Sequence, residues 1–131
     1  MRSGFENRIA KQLKQIGVDY KYEYETFEYW LPVYKAVCES CGETKQIVKR
    51  HHYTPDFFLS NGVVLEVKGR FTAKDRKIQA AMREYHPDVD LRMVFYADNL
   101  LRKNAKTRYS DWCQSKGIDY CFKEVPEEWT Q

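Results

Sequence analysis

Asp56, Glu66 and Lys68 are the charged residues of one otherwise apolar stretch, Tyr53-Thr-Pro-Asp56-Phe-Phe-Leu-Ser-Asn-Gly-Val-Val-Leu-Glu66-Val-Lys68-Gly69. Val63 to Lys68 reads as a strand, so Glu66 and Lys68, two apart, project from one face while Val63, Leu65 and Val67 project from the other. Removing either charge from water alone is costly, and pairing the two often only breaks even, so their presence points to a task. The position of Asp56 depends on the turn. A two-residue turn at Asn61-Gly62 sets Asp56 opposite Val67, on the face away from Glu66. A three-residue loop, Ser60-Asn61-Gly62 with Gly62 left-handed, sets Leu59 opposite Val63 and Asp56 opposite Glu66. Facing carboxylates repel unless a cation lies between them, so the three-residue loop is the expectation, with a hard oxygen site for Mg2+ or Mn2+. Such an ion can activate water and stabilise charge on a phosphate, and Lys68 beside it would orient that water or neutralise the phosphate. Pro-Asp-x9-Glu-x-Lys is therefore a candidate nuclease signature. The plainer alternative makes Glu66 and Lys68 a same-face ion pair on an edge strand, and Asp56 only a strand start.

Two basic runs flank this chemistry. Arg70, Lys74, Arg76 and Lys77 follow the strand directly, and Arg102, Lys103, Lys106 and Arg108 lie in a later loop. Placed beside a metal cluster they suit a phosphate backbone; by themselves charge runs are usually solvated surface. The four cysteines include one Cys38-x-x-Cys41-Gly42 turn, which can offer two thiolates to a zinc ion. Two further ligands would be needed, from His51 or His52, from Cys113 and Cys121, or from the same pair in a second copy. The plain alternative is a reduced hairpin tip.

The 131 residues suffice for one domain with a buried core, read here as a single unit over residues 1–131. Apolar residues at 43% and aromatics at 15% argue against disorder, and no apolar run approaches the ~18 residues of a membrane span. Without a signal-peptide pattern at the N-terminus, a cytoplasmic location and reduced thiols are expected. A net charge of +3 decides nothing about partners.

The positioning elements are legible from periodicity. Ser3-x-x-Glu6 is a capping box opening a helix with a Phe5, Ile9, Leu13, Ile16 stripe, ended by Gly17. Tyr20, Tyr22 and Tyr24 alternate as a half-buried strand. Two β-like stretches, around Tyr29 to Val37 and Lys45 to His52, flank the cysteine turn as a hairpin. Thr72 caps a helix to about Tyr85 with Ile78, Ala81, Met82 and Tyr85 as its stripe, and His86-Pro87 ends it. Strands at Leu91 to Tyr96 and Ile118 to Phe122 enclose a short helix near Ser110 to Lys116. This order gives a mixed α/β domain.

With its N-terminal Arg2-Ser-Gly-Phe-Glu6, the Asp56 segment resembles the endonuclease I family of podophages, Holliday-junction resolvases with a restriction-endonuclease-like fold. The likeness continues through Asp75-Arg-Lys77, His86-Pro-Asp-Val-Asp-Leu-Arg-Met-Val-Phe95, Tyr109-Ser-Asp-Trp-Cys113, Lys116-Gly-Ile118 and Val125-Pro-Glu-Glu-Trp129, covering roughly 2–31 and 52–129. The resemblance implies a mixed β-sheet flanked by helices, with Asp56, Glu66 and Lys68 as the catalytic trio and Glu6 completing the metal site. It further implies a strand-exchanged homodimer, in which Glu6 serves the Asp56 cluster of the other subunit, acting on branched DNA. Glu6 is also position N3 of the capping box, and the two roles need not exclude each other. The departure from the family is an inserted hairpin at about 33–51, which bears on the bridge between subunits. The expected activity is Mg2+-dependent resolution of four-way junctions. A general or mismatch-tolerant DNA nuclease of the same fold and a non-catalytic junction-binding scaffold are the competing readings.

Overall fold

The computed structural model describes residues 3–131, with Tyr34 described by its backbone only; Arg2 of the N-terminal motif lies outside the described residues. In chain order the elements are α1 (Gly4–Ile16), β1 (Tyr20–Tyr22), β2 (Phe27–Val37), β3 (Thr44–Tyr53), β4 (Phe57–Leu59), β5 (Val63–Lys68), α2 (Ala73–Tyr85), β6 (Asp90–Phe95), α3 (Tyr109–Lys116) and β7 (Tyr120–Phe122), then a 3-10 turn over Glu127–Thr130. Five strands form one mixed sheet in the order β1-β4-β5-β6-β7, and β2 and β3 form a separate two-stranded ribbon. The α/β class expected from the sequence is observed. Among the described residues no helix is long and apolar enough to cross a membrane.

The sheet is clad on both faces because its central strands are apolar on both. Leu65, Val67 and Val94 pack against Ile9, Ala10 and Leu13 of α1. On the other face Val64 and Leu91 meet Met82 of α2, while Met93 and Phe95 meet Cys113 of α3. β5 pairs with β6, and β6 with β7, in parallel through helical crossovers; β4 pairs antiparallel with both β1 and β5. Parallel strands covered by helices are buried throughout, and β5 is buried from Val63 to Val67, Glu66 included.

Local signals set the helix ends. Ser3 Oγ accepts the Glu6 N–H at 3.1 Å, and Gly17 closes α1 at φ +89, a left-handed conformation that side chains resist. The stripe of α1 departs from expectation at Ile16, which is exposed, while Ala10 is buried. Tyr85 likewise leaves the stripe of α2, and the buried residue there is Gln79. β1 stops before Tyr24 because Glu23 takes a positive φ of 49°, and the Tyr24 ring is 61% exposed.

The ribbon is a closed antiparallel hairpin. Its register runs from Phe27 opposite Tyr53 to Val37 opposite Thr44, with a bulge between Pro32 and Tyr34. At the tip the Cys38 N–H reaches Glu43 O at 2.7 Å and the Gly42 N–H reaches Cys38 O at 2.8 Å. At the base the Thr26 and Thr54 hydroxyls meet at 2.7 Å, so the chain leaves the sheet and re-enters it at the same place. Phe27 and Trp30 pack against His86 and Tyr85 at the end of α2, and His86 Nε2 lies 2.7 Å from Glu28 O.

Candidate active site

The turn between β4 and β5 is the three-residue loop that converging carboxylates require. Phe57 pairs with Leu65 and Phe58 with Val64, so the same register extends to Leu59 opposite Val63 and Asp56 opposite Glu66. Gly62 sits at φ +95 with its N–H on Leu59 O at 3.0 Å. Asn61 locks the loop: its Oδ1 accepts the Val63 N–H at 3.0 Å, and its amide donates to Trp129 O at 2.9 Å.

Asp56 and Glu66 are both buried, at 7% and 4% exposure. Asp56 Oδ2 accepts the Val67 N–H at 2.8 Å, and Glu66 Oε2 accepts the Tyr53 hydroxyl at 2.5 Å. The charge of Asp56 bears on Glu66, as their places opposite each other in the register require. Burial pushes the Asp56 carboxyl up to about 6, opposed by the Val67 N–H and reinforced by the charge of Glu6. Glu66 is held well above the usual carboxylate range by burial and then by the charge of Asp56. A pair that resists full ionisation until something positive sits between its oxygens is a donor set suited to a hard divalent cation.

Lys68 points along the same face. Burial disfavours its charged form, but Glu66, Asp75 and Asp56 outweigh burial and hold its ammonium above the ordinary range. Its Nζ is 3.3 Å from Asp75 Oδ1. Asp75 is fixed in turn as N3 of α2, where its Oδ2 accepts the Thr72 N–H at 2.9 Å.

Glu6 turns away from the capping role. Its backbone N–H meets Ser3, but its carboxylate Oε2 accepts the Tyr22 hydroxyl at 2.6 Å. Burial, then this bond, raises the Tyr22 phenol. Tyr22 pairs with Phe57, next to Asp56, and the Glu23 N–H holds Asp56 O at 2.9 Å. Within one chain the charge of Glu6 acts on Asp56; the resemblance implies the same pairing between two subunits. At the base of the ribbon Phe27 pairs with Tyr53, and β1 before the ribbon joins β4 after it in the five-stranded sheet. Among the described residues no three His, Cys, Asp or Glu side chains cluster tightly enough to ligate one ion. Asp56 and Glu66 converge; Glu6, whose charge acts on Asp56, is held by Tyr22.

The sequence reading missed what supports Glu66. Gln79 Nε2 donates to the Tyr53 hydroxyl at 2.9 Å, Arg83 Nη1 donates to Gln79 Oε1 at 2.8 Å, and Arg83 Nη2 donates to Leu91 O at 2.6 Å. Tyr53 was legible only as a strand end, and Gln79 carries no signal, because a polar residue on a helix normally faces water.

The basic residues divide. Arg70, Lys74, Lys77, Arg102, Lys103 and Lys106 are exposed. Arg76 is half-buried and donates to Phe71 O at 2.9 Å, and Arg108 donates to Asp98 O at 2.8 Å, so both brace local backbone. The cysteines do not assemble within the chain. Cys38 and Cys41 are exposed at the ribbon tip, while Cys113 and Cys121 are buried in two different apolar clusters, where burial raises both thiols to about 12. His51 and His52 face Tyr29 and Glu28 at the ribbon's other end. The Ser40 hydroxyl and then Cys41 lower the Cys38 thiol to about 6.

A family model described as phage endonuclease I matches residues 1–131. Endonuclease I of Escherichia phage T7 is 36% identical over 129 residues, spanning 98% of this chain and 76% of that protein. Endodeoxyribonuclease 1 of Enterobacteria phage T3 is 37% identical over 126 residues, spanning 95% and 73% respectively.

Proposed function

The chain belongs to the phage endonuclease I family, and from that premise we propose that it is a divalent-metal-dependent endodeoxyribonuclease that resolves four-way DNA junctions. The observation that carries this reading is the convergence of two buried carboxylates beside Lys68 on adjoining strands. Asp56 and Glu66 would hold Mg2+ or Mn2+. When bound, such an ion lowers the pKa of water and offsets negative charge on the scissile phosphate.

The protein's own groups do the rest. The Val67 N–H fixes the orientation of Asp56, and Tyr53 fixes that of Glu66. Asp75 keeps the Lys68 ammonium charged and aimed along the carboxylate face, where it orients the attacking water or neutralises the phosphate. Glu6, held by Tyr22, adds an acceptor for a water proton at the margin of the pair. Exposed Arg70, Lys74 and Lys77 next to the strand, and Arg102, Lys103 and Lys106 in the later loop, would hold phosphates of the arms.

Two copies acting as a homodimer would place one centre on each of two strands of a branched substrate in the cytoplasm of a bacterial host. Zinc at Cys38 and Cys41 would need both further thiolates from a second ribbon, since the remaining cysteines of the chain are buried elsewhere. Half a zinc ion per chain in purified protein is the expected stoichiometry of that bridge.

The test is cleavage of a labelled four-way junction beside a linear duplex of matching sequence, with Mg2+ and with EDTA. Paired Mg2+-dependent cuts in the junction alone are expected. Equal cutting of both substrates would make the protein a general nuclease, and binding without cutting under any divalent ion would make it a scaffold.

A further inference from the structure

Away from both basic runs, a third group of cations gathers beside the active site. Arg8 and Lys11 of α1 and Lys123 after β7 line one open cleft of about 310 Å3, together with Gln12, Gln15 and Glu124. All three cations are exposed, and none forms an ion pair with another described residue, Glu124 included. Two of them share a ring: the Arg8 guanidinium carbon is 6.0 Å, and the Lys123 Nζ 5.7 Å, from the centre of Tyr96.

Tyr96 joins this group to the catalytic centre from both sides. Its backbone N–H donates to Lys68 O at 3.3 Å, and its ring takes the edge of Phe5, the neighbour of Glu6, at 5.5 Å between centres. The ring is nonetheless 46% exposed. Two further features fix the geometry. Lys123 takes a left-handed φ of 66° with its N–H on Phe95 O at 2.8 Å, a conformation that a lysine adopts only when its surroundings hold it. Gln12 clamps the Val125 backbone through both amide atoms, at 2.8 and 2.9 Å, so the segment bearing Lys123 is tied to α1. Like charges held together on a tied framework, with no ion pair to Glu124 or any other described carboxylate, leave room for an anion that the protein does not supply.

We propose that Arg8, Lys11 and Lys123 bind consecutive phosphates of the DNA strand running from the scissile bond, with Tyr96 as the positioning residue that keeps Arg8 and Lys123 side by side. From Glu6 to Lys11 the helix advances about 7 Å, so the strip begins at the catalytic centre and follows α1. This deepens the nuclease reading and rests on it: the ligand is the substrate strand itself.

The test is anisotropy of a labelled four-way junction binding to the full chain in Ca2+, across a range of NaCl, for wild type and for Arg8→Gln/Lys11→Gln/Lys123→Gln. The expected triple variant has a plot of log affinity against log salt shallower by about 2 to 3, and binds at least ~10-fold more weakly near 0.1 M salt. Its thermal melt should match wild type, because all three side chains are exposed. Tyr96→Phe should bind as wild type and Tyr96→Ala should weaken binding several-fold, with a smaller salt slope. An unchanged slope in the triple variant, with wild type binding and cutting the junction, overturns the strip and leaves the nuclease reading intact. Wild-type protein that neither binds nor cuts DNA overturns both.

Discussion

The five-stranded sheet and the two-stranded ribbon follow opposite rules. In the sheet, β5 is buried on both faces, and among the described residues every buried side-chain nitrogen or oxygen has a hydrogen-bond partner. In the ribbon, Val33, Val37 and Val48 are exposed, and a two-stranded hairpin has no core of its own. The sheet can therefore keep two carboxylates out of water and hold them facing each other. Beyond its base, where Tyr53 reaches Glu66, the ribbon can do no such chemistry. What the rest of it contributes is connectivity, since its paired base returns the chain to the sheet it left. The carboxylate pair and the outer part of the ribbon thus lie in different parts of the molecule, and each can be altered separately.

The largest contrast lies in catalysis. Glu66→Ala should lower cleavage at least ~10^3-fold, about 4 kcal/mol of barrier, while junction binding in Ca2+ persists. Cys38→Ser/Cys41→Ser at the ribbon tip should leave the cleavage rate of each centre within about twofold. A ribbon-tip variant as damaged as Glu66→Ala would erase the distinction.

Stability sharpens it next. Leu65→Ala, at a side chain with no exposure, should cost about 2–5 kcal/mol in chemical denaturation. Val48→Ala, at 51% exposure, should stay within about 0.5 kcal/mol.

Acidity offers a third handle, confined to the sheet. The folded chain holds the Asp56 proton up to about pH 6, whereas an unfolded aspartate releases it near 4. Below the unfolded value both states are protonated and the burial of Asp56 costs no charge. As pH rises through 6 the folded chain loses up to about 3 kcal/mol of stability from this group. Metal-free protein should accordingly melt lower at pH 7.5 than at pH 5, and Asp56→Asn should flatten that slope. Mg2+ should stabilise the protein more at pH 7.5, where protons no longer compete for the carboxylates.

A smaller effect separates position from chemistry. Tyr53→Phe removes the donor to Glu66 and leaves the packing of the ring. Loss of one hydrogen bond to a charged group, about 1.5–3 kcal/mol, should lower cleavage roughly tenfold or more, with junction binding in Ca2+ unchanged.

Sequence patterns resolved the sheet better than its supports. The loop length after β4 followed from the charges themselves, because only a three-residue turn brings Asp56 opposite Glu66, and that register is observed. Helix ends followed from Ser3, Gly17 and Thr72, whose side-chain and backbone preferences act locally. Gln79 and Arg83 escaped because nothing near them in sequence shows that Tyr53, 26 residues before Gln79, needs a partner in the core. Tyr22 escaped as the holder of Glu6 for the same reason. The hairpin itself was legible; the meeting of its two ends at Thr26 and Thr54, 28 residues apart, was not.

The most direct test of a site shared between subunits mixes two disabled chains. Glu6→Ala and Glu66→Ala proteins, each inactive alone, are unfolded together, refolded together and assayed on a four-way junction with Mg2+. If Glu6 serves the other subunit, as the resemblance implies, each mixed dimer carries one intact centre and a substantial fraction of wild-type cleavage returns. Cleavage that stays at the level of the separate variants would mean that each centre is built from one chain, and would contradict the shared site.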